Sequence, residues 1–234
     1  MKFSLYKQRL VPVPTLAGCL LILVCVGTPL AWWTVFGERF FSLTERVPAE
    51  ALAVEGWIGI DAIRAAKVEF EQGKYGYIVT VGGLSGNPWD SRRWNYADEA
   101  AELFVRLGVP AEKVIAAPAP DFESHRTFGA AAVASRELQR RFLQPAGINV
   151  FTSGTHARRS RLVFAKAFPN SRIGVISWIP PHYRDEPWWK SSERALDLLK
   201  ETVGYFFELL LNSGRTSNLA PPQATAEIMS GGRG

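Results

Sequence analysis

Between Ile148 and Arg161 the chain reads Ile-Asn-Val-Phe-Thr-Ser-Gly-Thr-His-Ala-Arg-Arg-Ser-Arg, an apolar strand run that ends in a polar turn and passes at once into a helix. A helix start presents unpaired backbone N–H groups and the positive end of its dipole. His156, Arg158, Arg159 and Ser160, with Ser153 at the strand end, therefore describe a pocket for an anion, a phosphate above all. The alternative is that the arginines are solvated and the hydroxyls only cap the helix. His156 is the histidine flanked by other convergent polar groups. As an imidazole it can move a proton near neutral pH, and arginine neighbours would drive it toward the neutral form. No Gly-x-Ser-x-Gly elbow surrounds Ser153, so an acyl-transfer triad fits poorly.

Other chemistry-bearing groups also follow strand-like runs. Glu55-Gly56-Trp57 joins a carboxylate, a residue permitting close backbone approach and a large flat ring. Gly82-Gly83-Leu-Ser85-Gly86 is a glycine-rich turn able to offer N–H groups to an oxyanion, but it lacks the full dinucleotide fingerprint and the P-loop lysine pattern. The long loop after it carries Trp89, Asp90, Arg92, Arg93 and Trp94, which suit a sugar or phosphate if the loop acts as a lid and are otherwise an exposed loop. Further on, Asp121, Glu123 and His125 alternate before Arg126 and Thr127, with Ser124 as a helix cap. An extended backbone would turn those three the same way, as a metal site requires, yet no paired-histidine or helix-spaced ligand motif accompanies them. The motifs identify no cofactor.

The elements that must hold these groups are strand-length apolar runs alternating with helical stretches. Strands are expected at 51–55, 77–82, 113–116, 148–153 and 173–177, and helices near 61–72, 96–107, 124–141, 158–168 and 191–211. Five strand-then-helix units imply an α/β fold, a Rossmann-like doubly wound parallel sheet over residues 49–211, because parallel strands are joined only by crossovers. Ligands bind such sheets at the carboxyl edge. In the last helix Leu196, Leu199, Val203, Phe206 and Leu210 share one face. Core packing is the expectation for that face, with 206–211 also able to touch a membrane.

Ahead of this domain, 15–36 is uncharged and long enough to cross a bilayer as a helix. Lys2, Lys7 and Arg9 precede it, so the positive-inside bias keeps 1–14 in the cytoplasm and exports the remainder of the chain, with Trp32 and Trp33 near the exit. No small-residue cleavage site ends the segment, and Leu16-Ala17-Gly18-Cys19 precedes the apolar core rather than ending it, unlike a lipoprotein box. A stalk, 37–48, leads into the domain. Cys19 and Cys25 both lie in the anchor, leaving the exported domain without a thiol. The net charge of +5 is misleading, since 37–211 holds 22 basic and 21 acidic side chains. A nearly neutral body argues against nucleic acid. The tail, 212–234, is rich in Gly, Ser, Pro and Thr and is expected to be disordered.

The Gly82-Gly83 turn, Leu107-Gly108-Val109-Pro110, Arg126-Thr127 with Ala130 behind it, and Thr152-Ser153 with His156-Ala157-Arg158-Arg159-Ser160 make the chain similar to the YdcF-like (SanA/ElyC-like) family of bacterial cell-envelope proteins. Trp188-Trp189-Lys190 and Glu201-Thr202-Val203-Gly204-Tyr205 also match. The resemblance runs from about Ala51 to Leu211. It implies a Rossmann-like domain, often behind one inner-membrane anchor and facing the periplasm, linked to envelope and peptidoglycan biogenesis. The sequence departs from the commoner pattern at Glu55-Gly56-Trp57 and at Ala130 or Ala131, where an asparagine is frequent. Three functions are expected from these features. The first is binding or processing of a phosphorylated, lipid-linked glycan precursor as hydrolase or transferase, with Arg158, Arg159, Arg126, Thr127, Ser153, Gly82, Gly83 and Trp57 on the ligand and His156 or Glu55 as acid or base. The second is a non-catalytic scaffold or regulator working with envelope-synthesis proteins. The third, a nucleotide or S-adenosylmethionine binder, rests on fold alone and sits badly with an exported domain.

Overall fold

A computed structural model of the chain describes residues 12–85, 94–121, 126–183 and 185–211. After a first helix, α1 (Leu16–Phe41), strands β1 (Ala51–Glu55), β2 (Tyr77–Gly82), β3 (Val114–Pro118), β4 (Gly147–Ser153) and β5 (Arg172–Trp178) form one sheet. Its order is β3-β2-β1-β4-β5 and every pairing is parallel. The crossovers are α2 (Ile60–Gln72), α3 (Tyr96–Arg106), α4 (Arg126–Arg140) and α5 (Ala157–Ala167), and α6 (Ser192–Leu211) closes the described chain. The fold is the doubly wound α/β class expected from the sequence, with β1 and β2 at the expected bounds and β3, β4 and β5 shifted by one or two residues.

Two apolar layers explain the architecture. Side chains alternate along each strand, so Ala51 and Ala53 of β1 face one layer and Leu52 and Val54 the other. The first layer packs Val79, Val81, Ile148 and Val150 against Leu138 of α4 and Phe164 of α5. The second packs Ile78, Phe151 and Ile176 against Phe70 of α2 and Phe104 of α3. Burial on both faces is why the strands read as continuous apolar runs. Phe104 and Phe164 are fully buried, and truncating either to alanine should cost about 3–5 kcal/mol.

α1, long and apolar enough to cross a membrane, packs on the domain at its C-terminal end. α1 runs past residue 36 to Phe41, because Gly37 and Phe41 are buried and Phe41 packs on Tyr205 of α6. Residues 42–48 then lie along the sheet edge. Glu45 and Val175 exchange backbone hydrogen bonds at 2.8 Å, and Asn149 grips both backbone groups of Val47 at 2.9 Å. Of the stretch read as a stalk, 37–41 thus belong to α1, and Glu45 forms an antiparallel bridge onto β5.

α6 corrects a second expectation. Leu196, Leu199, Val203, Phe206 and Leu210 do not enter the core; all are exposed, Val203 by 71%. The helix instead turns Leu198, Glu201 and Glu208 inward. Its inner side is held by polar bonds: Lys166 of α5 donates to the Glu208 carboxylate at 3.1 Å, and Trp33 of α1 donates from Nε1 to Thr202 at 2.9 Å. The expected tail, 212–234, and the N-terminal residues 1–11 lie outside the described residues.

Candidate functional site

The strand order reverses between β1 and β4, so their carboxyl ends lie side by side where open α/β sheets bind ligands. β1 ends in Glu55, whose residue is only 3% exposed. A 3-10 turn, Gly56–Ile58, comes next and leaves Trp57 42% exposed. β4 ends at Ser153, and Gly154 adopts φ +49°, a left-handed backbone that favours glycine. The Gly154 carbonyl accepts from Ser177 Oγ at 2.9 Å. This bend starts a second 3-10 turn, Gly154–His156, which delivers His156 to the head of α5.

His156 is buried between two carboxylates. Its Nδ1 lies 3.0 Å from Glu201 Oε1, and its Nε2 lies 3.5 Å from Glu55 Oε2. Arg159, three residues along, grips Glu201 at two points, from Nε to Oε2 at 2.6 Å and from Nη2 to Oε1 at 2.9 Å. Its Nη1 donates to Thr127 Oγ1 at 3.2 Å. Glu55 accepts from the Thr152 hydroxyl and, at 3.1 Å, from Ser160 Oγ. Gly204 of α6 makes room for this arrangement, since a Cβ there would lie 3.0 Å from Arg159 Cδ. The Trp57 and His156 rings meet edge to face, with centroids 4.9 Å apart.

The charges settle one another. Burial pulls the His156 pKa down, but Glu55 and Glu201 outweigh it and raise it to about 9. Burial pushes both carboxyls up, and again the partners win. His156 and Thr152 hold Glu55 below its usual value, and His156 with Arg159 lowers Glu201 to about 2. Arg159 is raised, because Glu201 overcomes the cost of its burial. With His156 protonated, Nδ1 and Arg159 Nη2 are both donors, so their 3.0 Å approach is explained by a shared acceptor, Glu201 Oε1. Two cations and two anions make a buried cluster of zero net charge. His156 Nε2 keeps no hydrogen bond among the described residues. An imidazolium N–H in that position faces Glu55 Oε2 at 3.5 Å and lacks a closer acceptor.

No family model matches the chain, and no curated protein matches it.

The structure brings Glu55, His156, Arg159 and Thr127 into one cluster and sets Trp57 against it. Ser153 is half-buried at the end of β4, Gly82 and Gly83 close β2 at the same carboxyl edge, and Arg126 is exposed at the start of α4. Arg158 goes elsewhere. Its Nε donates to the Phe40 carbonyl at 2.6 Å and its guanidinium lies 3.7 Å over the Phe40 ring, so it clamps the end of α1. Adjacent helical residues point about 100° apart, which is why Arg158 and Arg159 cannot serve one pocket. The expected effect of arginines on His156 is also corrected, because Glu201 and Glu55, at 3.0 and 3.5 Å, outweigh the Arg159 guanidinium 3.0 Å from Nδ1 and keep the ring protonated. Glu201 and Thr152 are cluster members that the sequence reading did not place at the site. The available signal was Glu201 in the Glu-x-x-Gly spacing with Gly204, a carboxylate next to a residue without a side chain.

No group of three His, Cys, Asp or Glu side chains able to hold a metal occurs among the described residues. Within the cluster the reason is geometric, since the two nitrogens of His156 face different carboxylates and the three groups cannot converge on one ion. Glu123 and His125, and the loop 86–93 with Trp89, Asp90, Arg92 and Arg93, lie outside the described residues.

Proposed function

We propose that this protein is a membrane-anchored, extracytoplasmic protein of cell-envelope biogenesis that binds or processes a phosphorylated, lipid-linked glycan precursor. The observation that carries the reading is His156, an imidazolium with an unsatisfied Nε2 at the switch point of a domain joined to a helix able to cross a membrane. A fixed cationic donor in a dry crevice suits an anionic oxygen. Arg126 offers phosphate a guanidinium, Trp57 offers a sugar ring a flat apolar surface, and Ser153 and the Gly83 backbone are further donors. Lys2, Lys7 and Arg9 before the anchor support an inner-membrane topology with the domain outside. The resemblance to the YdcF-like family supports the envelope assignment. Where reaction follows binding, His156 is the acid, giving its Nε2 proton to a leaving oxygen, and Glu55 stays ionised to hold it in place.

Calorimetric titration of the full chain in detergent micelles with a polyprenyl phosphate tests this. Arg126→Ala and His156→Gln should each weaken binding about tenfold, equal to about 1.4 kcal/mol. No heat from the wild-type chain with any phosphorylated envelope precursor would remove the proposal.

One observation favours a second reading, a non-catalytic scaffold or regulator of peptidoglycan synthesis. Arg158 and Arg159, the cations best placed in sequence to grip phosphate, are both committed to internal partners. That reading requires His156→Gln and Glu55→Gln chains to complement a deletion strain while chains lacking α1 do not.

A further inference from the structure

The outward side of α6 is an apolar stripe of Leu196, Leu199, Val203, Phe206, Phe207 and Leu210, all exposed. These positions recur at helical spacing and extend over about 21 Å at 1.5 Å per residue. The opposite side of the same helix carries Glu201 and Glu208 into the domain, so α6 is inverted relative to a helix that packs its apolar face on a core. Such an inversion places the stripe against something more apolar than water.

Its position says what that is. Trp33, Phe40 and Phe41, at the exit end of α1, hold Thr202 and Tyr205 of α6 through a 2.9 Å hydrogen bond and ring contacts with centroids 5.7–6.2 Å apart. Trp32, Val35 and Phe36 of α1 are exposed near the same junction, so the uncovered apolar surface includes both the spanning helix and α6. We propose that the outer stripe of α6 lies in the membrane interface beside the anchor, with its side chains among lipid acyl chains and Glu201 on the side away from lipid. The stripe then forms a second attachment that fixes the orientation of the domain, and it holds the His156 cluster about one helix diameter, ~10 Å, from the lipid. Exposed Lys200 is flanked by exposed Glu193 and Asp197, so apolar area rather than lipid charge drives the attachment. This inference rests on α1 spanning the membrane and is independent of the ligand proposed above.

Spin labels on the full chain, reconstituted in vesicles of zwitterionic phosphatidylcholine, test it. With Cys19 and Cys25 replaced by serine, labels are placed through Val203→Cys, Leu210→Cys, Asp197→Cys or Lys200→Cys; a chain keeping only native Cys25 reports on the anchor. At 203, 210 and Cys25, oxygen should collide with the label more often than a water-soluble nickel chelate does, and at 197 and 200 the preference should reverse. Adding anionic lipid should change nothing. Water-like accessibility at 203 with Cys25 in lipid overturns the inference. So does dipolar broadening at 203 that unlabelled protein dilutes away, which means a second copy covers the stripe. Protection of 203 that vanishes when 212–234 are deleted assigns the stripe to the tail and also overturns it. Loss of polyprenyl phosphate binding leaves these accessibilities unchanged, so the two proposals fail separately.

Discussion

His156 and Glu201, 45 positions apart in the chain, meet at 3.0 Å and join the head of α5 to the inner side of α6. Through Arg159 and Thr127 the same contact reaches α4, and through Glu55 it reaches the first strand. A single buried cluster therefore ties the sheet to α6, the helix that packs on α1. Breaking it at different atoms should have different consequences.

Stability should depend on pH through His156. A group whose folded pKa is about 9, against 6.5 when free, contributes fully below pH 6.5 and loses that contribution as the pH rises through 9. The loss is on the order of 3 kcal/mol, at about 1.4 kcal/mol per pH unit of displacement. Thermal unfolding of the full chain should show Tm falling between pH 6.5 and 9.5, and His156→Gln should flatten that fall. At the acid end, Glu201 loses its contribution as the pH drops from the ordinary carboxylate range toward about 2.

Glu201→Gln removes the common counter-charge of His156 and Arg159 and leaves two cations facing Glu55 alone. The expected cost is about 3–5 kcal/mol, the range for breaking a buried ion pair by one partner. Lys200→Gln, one residue away and exposed, should stay within about 0.5 kcal/mol. Denaturant unfolding of both variants checks the contrast, and equal small effects would mean the cluster contributes little.

Arg158→Ala should leave phosphate binding unchanged and loosen the end of α1. The variant gives up the Phe40 carbonyl bond and the guanidinium stacked on the Phe40 ring, together worth about 1–2 kcal/mol. Hydrogen exchange should quicken at Ser42, whose amide closes the last turn of α1 on Glu38. Unaltered exchange with weakened ligand binding would return Arg158 to the pocket.

A reporter fused after Leu211 should be active as a secreted alkaline phosphatase and dark as a green fluorescent protein. The opposite pattern would place the crevice in the cytoplasm and revive the nucleotide or S-adenosylmethionine reading.

The sheet was legible because its strands are buried on both faces, which writes them as plain apolar runs such as 51–54. The meeting of Glu55 with His156 was legible for a related reason, since both end strands at one edge. Glu201 was not. Helical spacing reveals that α6 has an apolar side and a polar side, but not which one meets the core, and the usual assignment puts the apolar side in. Here the charged side is inside because Arg159, His156 and Lys166 wait there for Glu201 and Glu208. The destination of Arg158 was hidden too, because its partner is the backbone carbonyl of Phe40, 118 residues earlier, which no side-chain motif encodes.

The proposed ligand binding requires His156 to be an imidazolium whose Nε2 receives an anionic oxygen. The most direct measurement is ring-15N NMR of the full chain in nanodiscs, with His156 assigned by His156→Gln, titrated in pH with and without a polyprenyl phosphate. The expected result is a doubly protonated ring at pH 7.5, a midpoint near 9, and a shift of the Nε2 resonance on adding the phosphate. A neutral ring at pH 7.5 that does not respond to the ligand would contradict it.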